Sequence, residues 1–174
     1  MVNFITLAAI VILLVNNQQR EQALTEAEKK ARIILDHNLA THTYFTKELK
    51  PPLLALVKTP TLEDYFEPTW MSSTYANRAI HEYFLSLNQT EYYYKEATVN
   101  ARSPENEAND YERAFIQALN QDPDLTSISE IRTFDGKPYF VTMRRGETLI
   151  DDCLLCHSEP EIAPEDLVNT YGDV

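Results

Sequence analysis

Apolar and polar positions divide the chain into a helical front section and a mixed section behind it. Residues 1–19 carry no charge, and Phe4 to Val15 (FITLAAIVILLV) is apolar throughout but for Thr6. At a rise of 1.5 Å per residue that uncharged stretch reaches about 28 Å as a helix, close to the thickness of a bilayer core. The pattern predicts a transmembrane anchor over residues 1–17. A cleaved secretory signal is the competing assignment, but no Lys or Arg precedes the run and VNNQQREQ offers no small-residue cleavage site. From 18 to 50 there is no Gly, and Ala23, Ala27, Ala31, Ile34, Asn38 and His42 fall along one helical side. That thin stripe predicts a helical stalk suited to a partner helix, ended by Pro51 and Pro52.

Residues 51–174 alternate between periods. Ser72 or Ser73 can cap a helix running to about Leu87, with Tyr75, Ala79, Tyr83 and Leu87 on its buried side. Glu91 to Val99 (EYYYKEATV) has the aromatic and β-branched content of a strand, and a polar loop follows. Asn109 or Asp110 starts a second helix through Asn120 that buries Tyr111, Phe115, Ala118 and Leu119. Asp135-Gly136 sits between two alternating runs, the signature of a tight hairpin turn. A last short helix is expected from Glu165 to Thr170. Three or more strands with surrounding helices indicate an α+β domain.

Composition narrows the function. With 15 Lys+Arg against 27 Asp+Glu the net charge is −12, which repels phosphate backbones and argues against nucleic acid. Only three glycines occur, too few for a Gly-rich dinucleotide or phosphate cradle. No Ser/His/Asp set or carboxylate pair stands out, so catalysis is not expected. Both cysteines of the chain lie in one pentapeptide, Cys153-Leu154-Leu155-Cys156-His157.

C-x-x-C-H is the attachment signature of c-type haem. Two thiols one helical turn apart can each add to a haem vinyl group, and the adjacent His157 can place its imidazole on the iron. A thioredoxin-like pair, a structural disulfide and half a zinc site are the alternatives; the first wants a βαβ context and the last a second ligand pair. Covalent attachment takes place outside the bacterial inner membrane, which predicts a periplasmic domain. Arg102, Arg132, Arg144 and Arg145 are candidate partners for the haem propionates, Arg102 foremost. Tyr92, Tyr93, Tyr94 and Tyr139 are candidates for the pocket wall.

The stretches PTWMSSTYANRAIHEYF, YYYKEATVNARSPENEANDYERAF, IRTFDGKPYFVTMRRGE and CLLCHSEPEIAPEDLVNTYG together resemble the periplasmic c-type haem sensor domains of bacterial histidine kinases and chemotaxis receptors. The resemblance spans about residues 30 to 172. It implies a PAS-like fold over 51–174, one covalent haem c beside a small antiparallel sheet, and dimers formed through the N-terminal helices. It also implies that Met71 can supply a distal thioether to the iron. Packing beside Trp70 is the other fate of Met71, and His42 is a second ligand candidate. His81 is expected to be exposed, His37 too close to the membrane, and an open sixth position would suit NO or CO. The resembled domains usually continue past the Tyr-Gly at Tyr171-Gly172 into a closing strand, a second membrane helix and a signalling module, so the chain is either a fragment or a stand-alone haem subunit.

Two functions follow as expectations. The first is a membrane-anchored periplasmic sensor of redox state or a diatomic gas, in which the Met71 bond changes and the stalk relays the change. The second is a monohaem electron-transfer subunit of a membrane complex, whose acidic surface would steer it to a basic redox partner.

Overall fold

The front of the chain is one unbroken helix, α1 (Val2–Tyr44). The computed structural model describes residues 2–57, 64–87, 92–146, 151–154, 156–157 and 159–172. Among these, no helix is long and apolar enough to cross a membrane. This corrects the expected transmembrane anchor. The apolar run, Thr6 included, is only the twelve residues Phe4 to Val15, about 18 Å of helix rise, where a bilayer core needs about 30 Å. Asn16, Asn17, Gln18 and Gln19 follow directly, and amide side chains are costly to strip of water.

The chain separates into two units: residues 1–36 with 127–144, and residues 37–126 with 145–174. In the first, β1 (Ser127–Phe134) and β2 (Lys137–Arg144) form a two-stranded antiparallel sheet with an unbroken register from Ser127 opposite Arg144 to Phe134 opposite Lys137. Asp135 (φ 50°) and Gly136 (φ 78°) make the turn, both left-handed as a two-residue hairpin of this twist requires. Arg144 closes the far end, donating to the Asp36 carboxylate at 2.5 Å and the Leu35 carbonyl at 2.6 Å on α1.

In the second unit α1 ends in a π turn, Phe45–Leu49, and helix continues as α2 (Lys50–Val57). Pro51 and Pro52 therefore do not stop the helix. They fall in the first turn of α2, where a missing N–H costs little, and the wider turn ahead is closed by the Lys50 N–H on the Phe45 carbonyl. Helices α3 (Pro68–Met71), α4 (Ser73–Leu87) and α5 (Asp110–Gln121) follow, then the short α6 (Asp151–Leu154) and α7 (Glu165–Tyr171).

The expected strand over Glu91–Val99 is not formed. Residues 92–97 carry no regular secondary structure, an isolated bridge joins Thr98 to Glu107, and residue 91 lies outside the described residues. The sheet has two strands among the described residues, so the multi-stranded PAS-like architecture gives way to a helix-rich α+β fold. On α4 the buried positions are Asn77 and His81, while Tyr83 and Leu87 are exposed. Helix α5 follows expectation: Asn109 caps it in a reciprocal capping box with Glu112, and Phe115 and Leu119 are buried.

Candidate functional site

The pentapeptide lies at the end of α6, in the second unit. The amides of Cys156 and His157 both donate to the Cys153 carbonyl, at 3.1 and 2.9 Å, so the segment closes one tight turn. Both cysteines are free thiols and both are half-buried. A structural disulfide is thus not formed, and among the described residues no three His, Cys, Asp or Glu side chains gather in a metal-holding group.

One side of this turn rests on an apolar cluster. Leu54 of α2, Phe66, Met71 at the end of α3 and Leu167 of α7 are buried together, and Cys156, Tyr65, Trp70, Ala163 and Tyr171 pack against them. Tyr65 stacks on Trp70 with ring centroids 5.9 Å apart, and Tyr171 meets Phe66 edge-on at 6.2 Å. Met71 is 5% exposed and its Sδ accepts the Glu67 N–H at 3.2 Å. The fold therefore sets the Met71 thioether and the Cys156 thiol in one neighbourhood, although long stretches of sequence separate them.

Arg102 reaches the same turn by donating from Nη1 to the Cys156 carbonyl. Its loop is built from both ends. Thr98 donates to the Asn106 carbonyl at 3.0 Å and accepts from the Ala108 N–H at 2.8 Å, closing the neck. Inside, the Glu107 carboxylate accepts the Ala101 N–H at 2.7 Å, and Asn100 adopts a left-handed φ of 58°. The Ala101 contact, ahead of the Arg113 and Lys95 charges, holds Glu107 below the ordinary carboxylate value. Behind the neck Lys95 Nζ bridges the Glu107 carbonyl at 2.6 Å and the Glu112 carboxylate at 2.8 Å. That pair is well buried, with side chains 12% and 9% exposed.

The electrostatics suit neutral donors. Burial pushes the Cys156 thiol up, against the pull of the Lys50 and Arg102 charges. The His157 ring reaches the surface, yet the protein around it, then Arg102 and Lys50, keep its pKa below the usual imidazole value. That shift favours the unprotonated imidazole, the form that can bind a metal.

The other expected residues are described by their own partners. Arg132 pairs with Glu130 at 2.8 Å and Arg144 with Asp36, both in the first unit. Arg145 bonds the carbonyls of Leu119, Asp122 and Leu125 beyond the end of α5. Tyr94 donates to Glu96 at 3.0 Å, Tyr93 is exposed and Tyr139 packs near Phe134 on the hairpin. His37 is exposed and His42 half-buried. His81, expected at the surface, is buried between the rings of Phe84 and Tyr94 at 5.9 and 5.7 Å. Its Nε2, Asn38 Nδ2 and Asn77 Oδ1 are buried without hydrogen-bond partners. Sequence reasoning missed Lys50 as a charge acting on the turn, and Leu54 and Tyr65 as parts of the cluster on which Cys156 packs; nothing local marks them, because the fold alone brings them there.

Comparison with the curated proteins and with the solved structures finds no match. The profile of the Tll0287-like family matches residues 19–174, which takes in the hairpin, the Arg102 loop, Met71 and the whole pentapeptide. With all but the first eighteen residues matched, the chain belongs to the Tll0287-like family.

Proposed function

We propose that the chain is a periplasmic c-type haem protein that senses redox state or a diatomic gas for signal transduction. Cys153 and Cys156 would take one haem covalently, His157 would supply an imidazole and Met71 a thioether to its iron, and Arg102 would partner a propionate. The observation that carries the reading is the meeting of Met71, Arg102 and the Cys156–His157 turn around one apolar cluster. The donor set fits the group: two free thiols on one turn, an imidazole favoured in its unprotonated form beside the second, and a buried soft sulfur. Each thiol adds across a vinyl group, its sulfur and hydrogen both ending on the former double bond, so no oxidant is consumed. When bound, the haem supplies a one-electron couple and an iron whose ligands can exchange.

Met71 then has two competing uses for its sulfur. In this structure Sδ accepts the Glu67 N–H at 3.2 Å and so steadies the start of α3. Were the sulfur to serve the iron instead, it would release the Glu67 N–H at the start of α3, and α4 follows after Ser72 alone. The Glu67 carboxylate still holds the Thr69 N–H at 3.1 Å, keeping the helix start intact in either state.

The test is extraction and spectroscopy of the chain made with a haem-attachment system. Acidified acetone should leave the Soret absorbance with the protein, and Cys153→Ala with Cys156→Ala should abolish it. Met71→Leu keeps the packing volume, so it should alter the reduced spectrum and allow CO to bind faster while the fold survives. Colour that leaves with the solvent overturns the haem reading. A haem that is reduced but keeps the same ligation in both oxidation states, takes no CO and is indifferent to Met71→Leu overturns the sensing role and favours the electron-transfer subunit, for which the net charge of −12 would select a basic partner.

A further inference from the structure

We propose that the chain pairs with a second copy of itself along the outer edge of β1, giving a continuous four-stranded sheet in the order β2–β1–β1–β2. The inference is independent of any haem. A lone two-stranded hairpin is marginal in water, and its two outer edges present backbone groups able to add a strand. The two edges of this hairpin differ. Because the turn is two residues long, Phe134 opposite Lys137 is a hydrogen-bonded pair and the pairs alternate from there. In β2 the outward-facing positions are therefore Pro138, Phe140, Thr142 and Arg144. The first of them has no N–H to offer, which blocks that edge. In β1 they are Ser127, Ser129, Ile131 and Thr133, all exposed, all with an N–H, and with no bulge to interrupt the row.

The side chains of β1 match a second β1 running antiparallel to it. With the two-fold axis at Ile131, Ile131 meets its copy and Ser129 meets Thr133, in hydrogen-bonded pairs. Between them Glu130 faces Arg132 of the other copy twice, in the closer non-hydrogen-bonded geometry, and Ile128 faces Phe134 on the same side. Charge thus complements charge and apolar meets apolar in one register, as a closed two-fold pairing demands. Ile131 and Phe134 are 46% and 42% exposed on the single chain, so the pairing also covers two large apolar side chains at the surface. Within one chain Arg132 and Glu130 already touch at 2.8 Å, so the dimer exchanges a contact within one strand for two across the axis.

Sedimentation velocity on the full chain over a micromolar concentration series tests the proposal. The wild type should show a concentration-dependent dimer. Glu130→Lys makes both cross-strand pairs positive, and Arg132→Glu makes both negative. Each variant should weaken self-association by about tenfold. An equimolar mixture of the two variants restores both attractions, so a mixed dimer should form about as tightly as the wild type. That rescue separates a broken interface from a broken fold. A wild type that stays monomeric throughout, single variants that dimerise as well as the wild type, or a mixture that shows no rescue each overturns it.

Discussion

Removing the Glu112 carboxylate tests how the Arg102 loop is held. In the native chain that carboxylate accepts from Lys95 Nζ at 2.8 Å and from the Asn109 N–H at 2.9 Å. Glu112→Ala strands a buried ammonium whose one remaining acceptor among the described residues is the Glu107 carbonyl. Breaking a buried pair from one side costs about 3–5 kcal/mol, and the lost half of the capping box adds about 0.5–1 kcal/mol. The expected loss is about 5 kcal/mol, read as a shift of the urea midpoint by far-ultraviolet circular dichroism. Lys95→Met with Glu112→Leu replaces both charges by apolar volume and should recover most of it, so the two sites couple strongly in a double-mutant cycle. The amides of Ala101 and Arg102 should exchange hydrogen faster in the single variant. A loss under about 1 kcal/mol for Glu112→Ala, or additive single and double variants, would refute the reasoning.

Three further outcomes follow from the geometry. Glu107 is depressed below its ordinary value of 4.5, chiefly by the Ala101 N–H, so its contribution is present above that value and is lost as pH falls through the folded one; exchange at Ala101 should quicken in acid, and Glu107→Gln should remove most of that pH dependence. In a Cys153→Ala chain prepared without haem, the Cys156 thiol should alkylate more slowly native than denatured, with a pH midpoint above 9.0, since burial raises it; equal native and denatured rates would count against the packed position. Gly136 lies at φ +78°, and a Cβ added there would meet nothing within 4 Å, so Gly136→Ala should cost about 1 kcal/mol from backbone strain alone, whereas Gly136→Asn should cost less; urea midpoints of the two variants check the order.

Elements specified by neighbouring residues were legible in the sequence. Asp135-Gly136 set the hairpin, and Asn109 with Glu112 set the start of α5, because each signal lies within four residues of its effect. The burial of α4 was not legible. Its apolar periodicity pointed to Tyr83 and Leu87, but the buried side follows Asn77, whose amide donates to the Asn38 carbonyl at 3.3 Å and the Glu96 carboxylate at 2.9 Å. Those partners come from distant segments, and no local pattern announces them. The tyrosines of Tyr92–Tyr94 have strand propensity without a neighbouring strand among the described residues, and propensity of that kind expresses cross-strand packing more than backbone preference. At the site, C-x-x-C-H marked the pentapeptide, but the motif by itself does not show that Met71 and Arg102 share its neighbourhood. The apolar run at Phe4–Val15 misled for a simpler reason: lack of charge over nineteen residues is not the same as hydrophobicity over nineteen residues.

The π turn at Phe45–Leu49 carries one residue more than an α-helical turn would accommodate. An extra residue rotates everything beyond it by about 100° around the helix axis. The turn thus works as a phase shifter between α1 and α2, setting the angle at which Leu54 enters the cluster beneath Cys156. Deleting one residue there would yield a smoother helix and a worse protein, with Leu54 aimed away from its pocket.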